Sequence, residues 1–261
     1  MIYFNGKYYN DEIPYSLNEG LMYGMGVFET LKVNNGKLEF FNYHYERLIN
    51  GCKVLDINFN IVIEKLYNIS MEVIRKNNII NGSLKINVLK NRETFDIIVT
   101  SNNRVYLEKV KDKGYNVVFA KNRKFSKNPL NYIKSNNYAI NILELNRAMN
   151  ISKNEAIFLN EKDEITEGSI SNIYFVKNNE IYTPKLECGL LNGVIRRILI
   201  EEFNVKEAII RDEDIKYYDY AFLSNSLMRI MPIKMFEDIK YDFNLKFLKN
   251  LEKEIENINF I

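Results

Sequence analysis

Five short stretches of this 261-residue chain set a charged or polar side chain beside small residues or at an element's edge. Lys134 in "NYIKSNN" follows an apolar Ile133 at the start of a helical pattern, where desolvation would lower its pKa and make the amine a nucleophile. A surface lysine is the commoner reading of that type. Glu167 in "ITEGSISNIYF" is flanked by Gly168, Ser169 and Ser171, which would let a ligand approach closely while the carboxylate holds a proton on a heterocycle. A turn between strands explains the same letters. In "LLNGVIRRILIEEF", Asn192-Gly193 precedes a helix whose first N–H groups and dipole would seat a phosphate, although most helix starts bind water. Asn225 and Ser226 end a strand in "FLSNSLMRIMPI" and offer donors, or are simply a polar strand end. Arg47 sits on the edge of a helical apolar stripe, where a solvated arginine is equally ordinary.

Other chemistries are excluded by what the chain lacks. One histidine, two isolated cysteines (Cys52 and Cys188) and no Gly-x-x-x-x-Gly-Lys leave no zinc cluster, disulfide framework or Walker loop. No metal is expected. "GLMYGMGVFET" has close glycines but misses the dinucleotide spacing. With 36 basic and 34 acidic residues, the net charge of +2 gives no field that would draw nucleic acid or an anionic membrane. A small-molecule partner follows. The N-terminal letters carry no apolar run behind a basic flank, and no stretch of about 18 apolar residues occurs, so a cytoplasmic, non-membrane protein is expected.

The elements that must position these residues are legible in the hydrophobic pattern. Asn5-Gly6 and Asn35-Gly36 predict two hairpins, the second joining "ETLKV" to "LEFF". Tyr45, Leu48, Cys52 and Leu55, then Val62, Leu66, Ile69 and Val73, recur at helical spacing, and 83–89 and 95–101 read as strands. Residues 1–112 are therefore expected to form a small α+β unit of sheet and paired helices. "KVKDKG" (109–114) reads as a charged turn, and 113–135 as an interdomain crossover leading to Lys134. Beyond it, 136–261 predict a larger unit: a helix near 137–150, strands at 154–160, 171–176 and 180–183, and a helix opening at Gly193. Strands near 207–210 and 220–236 follow, then a closing helix with Leu248, Leu251, Ile255 and Ile258 on one face.

Taken in order, "YGMGVFET", "YHYERL", "IKSNN", "EAIFLNEKDEITEGSISNIYFVKNNEIYTP", "GLLNGVIRR" and "AFLSNSLMRIMPI" resemble the fold-type IV pyridoxal 5′-phosphate enzymes, the class IV aminotransferase family, over nearly the whole chain. That family includes branched-chain and D-amino-acid aminotransferases and aminodeoxychorismate lyase. The resemblance implies an α+β fold of two domains: a small N-terminal α/β sandwich and a larger C-terminal domain with a β-barrel-like core surrounded by helices. It implies pyridoxal 5′-phosphate as cofactor and a homodimer. Lys134 matches the lysine that binds the cofactor covalently, and Glu167 the carboxylate paired with the pyridine nitrogen. Arg47 matches the phosphate-binding arginine, assisted by Gly193, Val194, Ile195, Asn225 and Ser226. Leu191 matches a residue on the ring face, Ser169 and Ser171 local hydrogen-bonding partners, and Phe28, Thr30 and Arg229 substrate-side positions. Arg229 is also read as solvent-facing or a dimer contact, and His44 as structural.

Within the family the expected reaction is elimination of pyruvate from 4-amino-4-deoxychorismate. "AFLSNSLMRIMPI" looks more like the lyase than the aminotransferases, whose residues equivalent to Asn225–Met228 tend to be small, and "INVLKNRETFD" lacks the Arg-x-His carboxylate trap of D-amino-acid aminotransferase. Lys90-Asn91 stands where relatives usually carry Arg-Gly, so the substrate-side loop differs. Amino transfer on branched-chain or D-amino acids is the alternative, and a non-catalytic vitamin-phosphate binder the third reading.

Overall fold

The computed structural model describes residues 1–14, 17–106 and 108–258. The chain divides into two compact units, Met1–Val105 with Ile133–Asn137, and Tyr106–Tyr132 with the chain from Tyr138. The division thus falls before the 1–112 limit read from composition, and the segment carrying Lys134 groups with the first unit.

In the first unit, Asn5 and Gly6 take positive φ values of 45° and 91°, as a two-residue turn of matching twist requires, and join β1 (Ile2–Phe4) to β2 (Lys7–Tyr9). A short helix α1 (Glu19–Tyr23) leads into β3 (Gly26–Asn34). Asn35-Gly36 turns the chain into β4 (Lys37–Leu38). The "LEFF" strand stops there because Phe40 adopts φ 53° and Phe41 opens α2 (Phe41–Val54). After α3 (Ile63–Lys76), the long strands β5 (Gly82–Asn91) and β6 (Thr94–Asn102) complete a six-stranded antiparallel sheet of order β2-β1-β6-β5-β3-β4. Alternation decides which face is covered: Val27, Leu31 and Val33 of β3, Leu84, Ile86 and Val88 of β5, and Ile97 and Val99 of β6 are buried with Leu48 of α2 and Leu66 and Val73 of α3. Each such side chain contributes about 1.5–3 kcal/mol by leaving water. Val62, counted in the apolar stripe, is instead the exposed cap before α3.

The second unit opens with a correction. "KVKDKG" is not a turn but a helix, α4 (Glu108–Lys113), ended by Gly114 at φ 67°. The nearly buried Lys111 ammonium pairs with Glu252, which turns a charged, turn-like sequence into a packed element. β7 (Tyr115–Phe119) follows, then an irregular run, then α5 (Ala139–Asn150), β8 (Glu155–Leu159), β9 (Ile165–Gly168), β10 (Asn172–Lys177) and β11 (Glu180–Pro184). α6 (Val194–Phe203), β12 (Lys206–Ala208), β13 (Tyr220–Asn225), β14 (Arg229–Phe236), β15 (Ile239–Lys240) and α7 (Leu245–Asn257) complete it. The strands form one mixed sheet, β12-β11-β10-β13-β14-β7-β8-β9, with β15 paired to β14. The Ile165 N–H at its β9 edge donates to Ile210 O at 2.7 Å, just beyond β12 at the other edge, so the sheet curls into a barrel-like core. Burial on both faces explains why Ala156, Ile157 and Phe158 of β8 and Ile173, Tyr174 and Phe175 of β10 are continuous apolar runs. The run read as 220–236 is two strands separated by a turn at Ser226–Met228.

The fold is the expected α+β class of the fold-type IV enzymes. No helix among the described residues is long and apolar enough to cross a membrane, and among them no group of three His, Cys, Asp or Glu could hold a metal.

Candidate active site

Lys134 is positioned by backbone pairing. The Phe28 N–H donates to Lys134 O at 2.9 Å and the Asn136 N–H to Gly26 O at 2.8 Å, laying the lysine segment along the N-terminal half of β3, beyond the reach of the short β4. Gly26 makes that approach possible, since a Cβ there would meet Asn136 Nδ2 at 2.6 Å and Leu89 Cδ2 at 2.7 Å. The Lys134 ammonium lies 4.4 Å from the centroid of the Phe28 ring. Lys85, across the sheet on β5, lies 4.6 Å from the same ring, and burial pulls its pKa down. Thr30 stands opposite Lys85 in the β3/β5 register. Lys134, Phe28 and Thr30 are therefore gathered by one strand.

The same strand sends Glu29 to its other face, a residue the sequence reading passed over. Arg47 of α2 grips the Glu29 carboxylate as a fork, with Nε to Oε1 and Nη2 to Oε2 both at 2.7 Å. His44 Nδ1 lies 2.6 Å from Glu29 Oε2, and both residues are 1% exposed. Burial pushes the Glu29 carboxyl up, but the Arg47 guanidinium and the bonds from Arg47 and His44 override it and hold it at about 2. For His44, burial outweighs the attraction of Glu29 and lowers its pKa, so the imidazole is neutral and its Nδ1–H donates. Arg47 is thus an oriented guanidinium rather than a solvated one. An "E" next to an aromatic in a strand, with "HYER" two elements later, is too ordinary a pattern to announce this cluster.

In the second unit, Glu167 is the next-to-last residue of β9 and is 7% exposed. Its Oε2 accepts from the Leu191 N–H at 3.2 Å and the Asn172 side-chain amide at 3.4 Å, while Asn172 also donates to Leu191 O at 2.9 Å. Leu191 is thereby fixed beside the carboxylate. Oε1 receives the ammonium of Lys124, which lies in a basic, aperiodic stretch and was not singled out.

Ser169 and Ser171 make local hydrogen bonds. Ser171 Oγ donates to Glu155 Oε2 at 2.9 Å and Ser169 Oγ to Ala156 O at 3.3 Å, so both hydroxyls bond the chain itself. Glu155, at the start of β8, also accepts from the N–H groups of Ser169 at 3.0 Å and Ile170 at 3.3 Å, which shapes the whole Gly168–Ser171 loop. Burial dominates its pKa and raises it to about 7 against the lowering effect of those donors. Asn225 ties the β13–β14 turn to this loop: Nδ2 donates to Ile170 O at 3.2 Å, and Oδ1 accepts from Leu227 N at 3.0 Å and Met228 N at 2.8 Å. Ser226 lies in that turn. Arg229 is not solvent-facing. It is 0% exposed, has φ 58°, and places Nη1 3.7 Å from Glu256 of α7.

Gly193 caps α6 without any side-chain hydrogen bond, so the first-turn donors, including Val194 and Ile195, are not satisfied by a capping side chain. A Cβ on Gly193 would meet Asn172 Oδ1 at 2.0 Å. A ten-residue helix with an uncapped start suits a phosphate, and a buried carboxylate one residue from the sheet's end suits a protonated ring nitrogen. Lys134 supplies an amine for an aldehyde. These groups fit pyridoxal phosphate in kind.

Comparison with known proteins agrees. The chain is 27% identical over 265 residues to aminodeoxychorismate lyase of Bacillus subtilis, covering 92% of this chain and 88% of that protein. It is 26% identical over 253 residues to D-alanine aminotransferase of Staphylococcus epidermidis, covering 89% and 87%. A crystal structure of a protein described as a putative 4-amino-4-deoxychorismate lyase, from Legionella pneumophila, superposes with a TM-score of 0.87 at 25% identity, covering 94% of this chain and 96% of that one. The amino-transferase class IV model matches residues 26–236, most of the chain, and the protein is accordingly a member of that pyridoxal 5′-phosphate-dependent enzyme family.

Proposed function

We propose that the enzyme is a 4-amino-4-deoxychorismate lyase, releasing pyruvate and 4-aminobenzoate for folate synthesis. The observation that carries this choice is the β13–β14 turn. Asn225 caps it and bonds the Glu155-supported loop, and Leu227 and Met228 complete it, where aminotransferases tend to have small residues. The lyase relative spanning 92% of the chain supports the same reading.

In this account Lys134 binds the cofactor through its amine. Arg47, held by Glu29, and the start of α6 at Gly193, Val194 and Ile195 bind its phosphate, with Asn225 and Ser226 assisting. Glu167 would pair with the cofactor's ring nitrogen and favour its protonated form, and Leu191 would pack beside the cofactor. The bound cofactor supplies an electron sink for negative charge at the substrate carbon. The Lys134 amine would remove the proton from the substrate's amine-bearing carbon. Pyruvate leaves as its enol from the neighbouring ring position, and the carbocycle becomes aromatic. Phe28 and Thr30 line the substrate side on β3. Arg229, buried against α7, serves the turn's conformation rather than meeting a substrate carboxylate. A cytoplasmic homodimer is part of the same reading, checked by light scattering of the purified enzyme.

Amino transfer is the second reading, favoured by the D-alanine aminotransferase relative. Cofactor-loaded enzyme given a panel of L- and D-amino acids with 2-oxoglutarate separates the two. The lyase reading expects no sustained glutamate formation; steady oxo-acid-dependent transfer at a rate above that on aminodeoxychorismate overturns it.

A further inference from the structure

We infer that Lys124 is a positioning residue for the ring-nitrogen carboxylate: its ammonium, seated on Glu167, fixes that carboxylate's orientation toward the cofactor. The inference rests on the reading of Glu167 given above and names the residue that sets its behaviour.

Lys124 is not a mobile surface lysine. Its N–H donates to Leu159 O at 2.9 Å, and its backbone forms a parallel bridge with Asn160, which fixes the Cα at the end of β8. From there the side chain passes the Phe158 ring, with the ammonium 5.2 Å from the ring centroid, and ends on Glu167 Oε1. The two side chains are 10% and 9% exposed. Removing one partner of so sheltered a pair leaves the other without its counter-ion.

The geometry divides the carboxylate between two sets of donors. Oε1 faces Lys124, and Oε2 faces the Leu191 N–H and the Asn172 amide. Other charges around this end of the sheet are engaged elsewhere. Arg123 bonds Asn160 O at 2.7 Å and Asp163, Glu161 bonds Ser126, Glu164 bonds Asn160, and Glu155 holds the Gly168–Ser171 loop. Lys124 is thus the cation that the described ion pairs place on Glu167. Held from both sides, the carboxylate has one orientation to offer a pyridine nitrogen.

The test uses cofactor-loaded enzyme and follows the pH midpoint of the bound cofactor's visible absorbance, together with kcat and KM. Lys124→Met keeps the stem against Phe158 and removes the charge; it should raise the midpoint by about one pH unit. It should also lower kcat at least about tenfold with KM nearly unchanged, because the loss is felt in the reacting state. Lys124→Arg, which keeps the charge, should restore both. Lys124→Gln serves the same comparison if the Met variant does not fold. In a Glu167→Ala background Lys124→Met should add nothing, since the lysine acts through the glutamate. An unchanged midpoint in both charge-removing variants overturns the inference. If Glu167→Ala itself leaves the midpoint where it was, the reading of Glu167 fails instead, and the two failures are distinguished.

Discussion

At the scale of single residues the proposed function gives Lys134 and Glu167 different roles, and each role predicts a different loss. Lys134→Ala should abolish the visible absorbance of the lysine-bound cofactor and reduce turnover by several orders of magnitude; turnover retained would reject its role. Glu167→Ala should still bind cofactor yet react far more slowly, as spectra and steady-state rates on one preparation will show. Glu29 makes a separate prediction about stability. Its carboxyl is held at about 2, so its contribution is fully present above the ordinary carboxylate range near 4.5 and is lost as pH falls toward 2. Glu29→Gln leaves the Arg47 guanidinium without its buried counter-ion and should cost about 3 kcal/mol at neutral pH, measured by urea unfolding. The variant's stability should then be flatter than wild type below pH 4.5. A parallel acid profile would show that the Glu29 charge does not stabilise the fold.

At the scale of elements, the start of α6 and the loop after β9 do the positioning. Gly193→Val would drive a Cβ into Asn172, the residue that holds both Glu167 and Leu191, and should weaken cofactor binding about tenfold or more, read by fluorescence titration. Glu155 acts with the opposite sign from Glu29. Its pKa is raised to about 7, so the folded state holds a proton that the unfolded chain has lost between about 4.5 and 7. Stability from this group falls across that window by up to roughly 1.4 kcal/mol per pH unit, and Glu155→Gln should remove the slope in thermal melts at pH 5 and 8. The elements themselves were largely legible, because Asn-Gly turns and 3.6-residue stripes are local signals that later packing does not overrule. α4 was not, since its helix is stabilised by an ion pair with Glu252, 141 positions away in sequence. The ordered residues of the site show the same limit. Lys134 and Glu167 stand in motifs, but Glu29, Lys124 and Glu155 act through partners that only the folded sheet brings near.

For the whole molecule, the match of family and fold places the chain among pyridoxal 5′-phosphate enzymes, and the reaction it performs is the central proposal. In the first unit the Lys134 ammonium lies against Phe28, whereas the neighbouring Glu29 of the same strand pairs with Arg47. In the second unit Glu167 accepts from the Leu191 N–H, two residues before Gly193. These placements are not visible in composition, because they depend on which face of each strand is covered. The direct test is to give cofactor-loaded enzyme aminodeoxychorismate, generated in place, and follow 4-aminobenzoate fluorescence and pyruvate together. The account predicts equal amounts of both products, formed without any oxo acid and absent with Lys134→Ala. No 4-aminobenzoate from an enzyme that transfers amino groups to 2-oxoglutarate would contradict it.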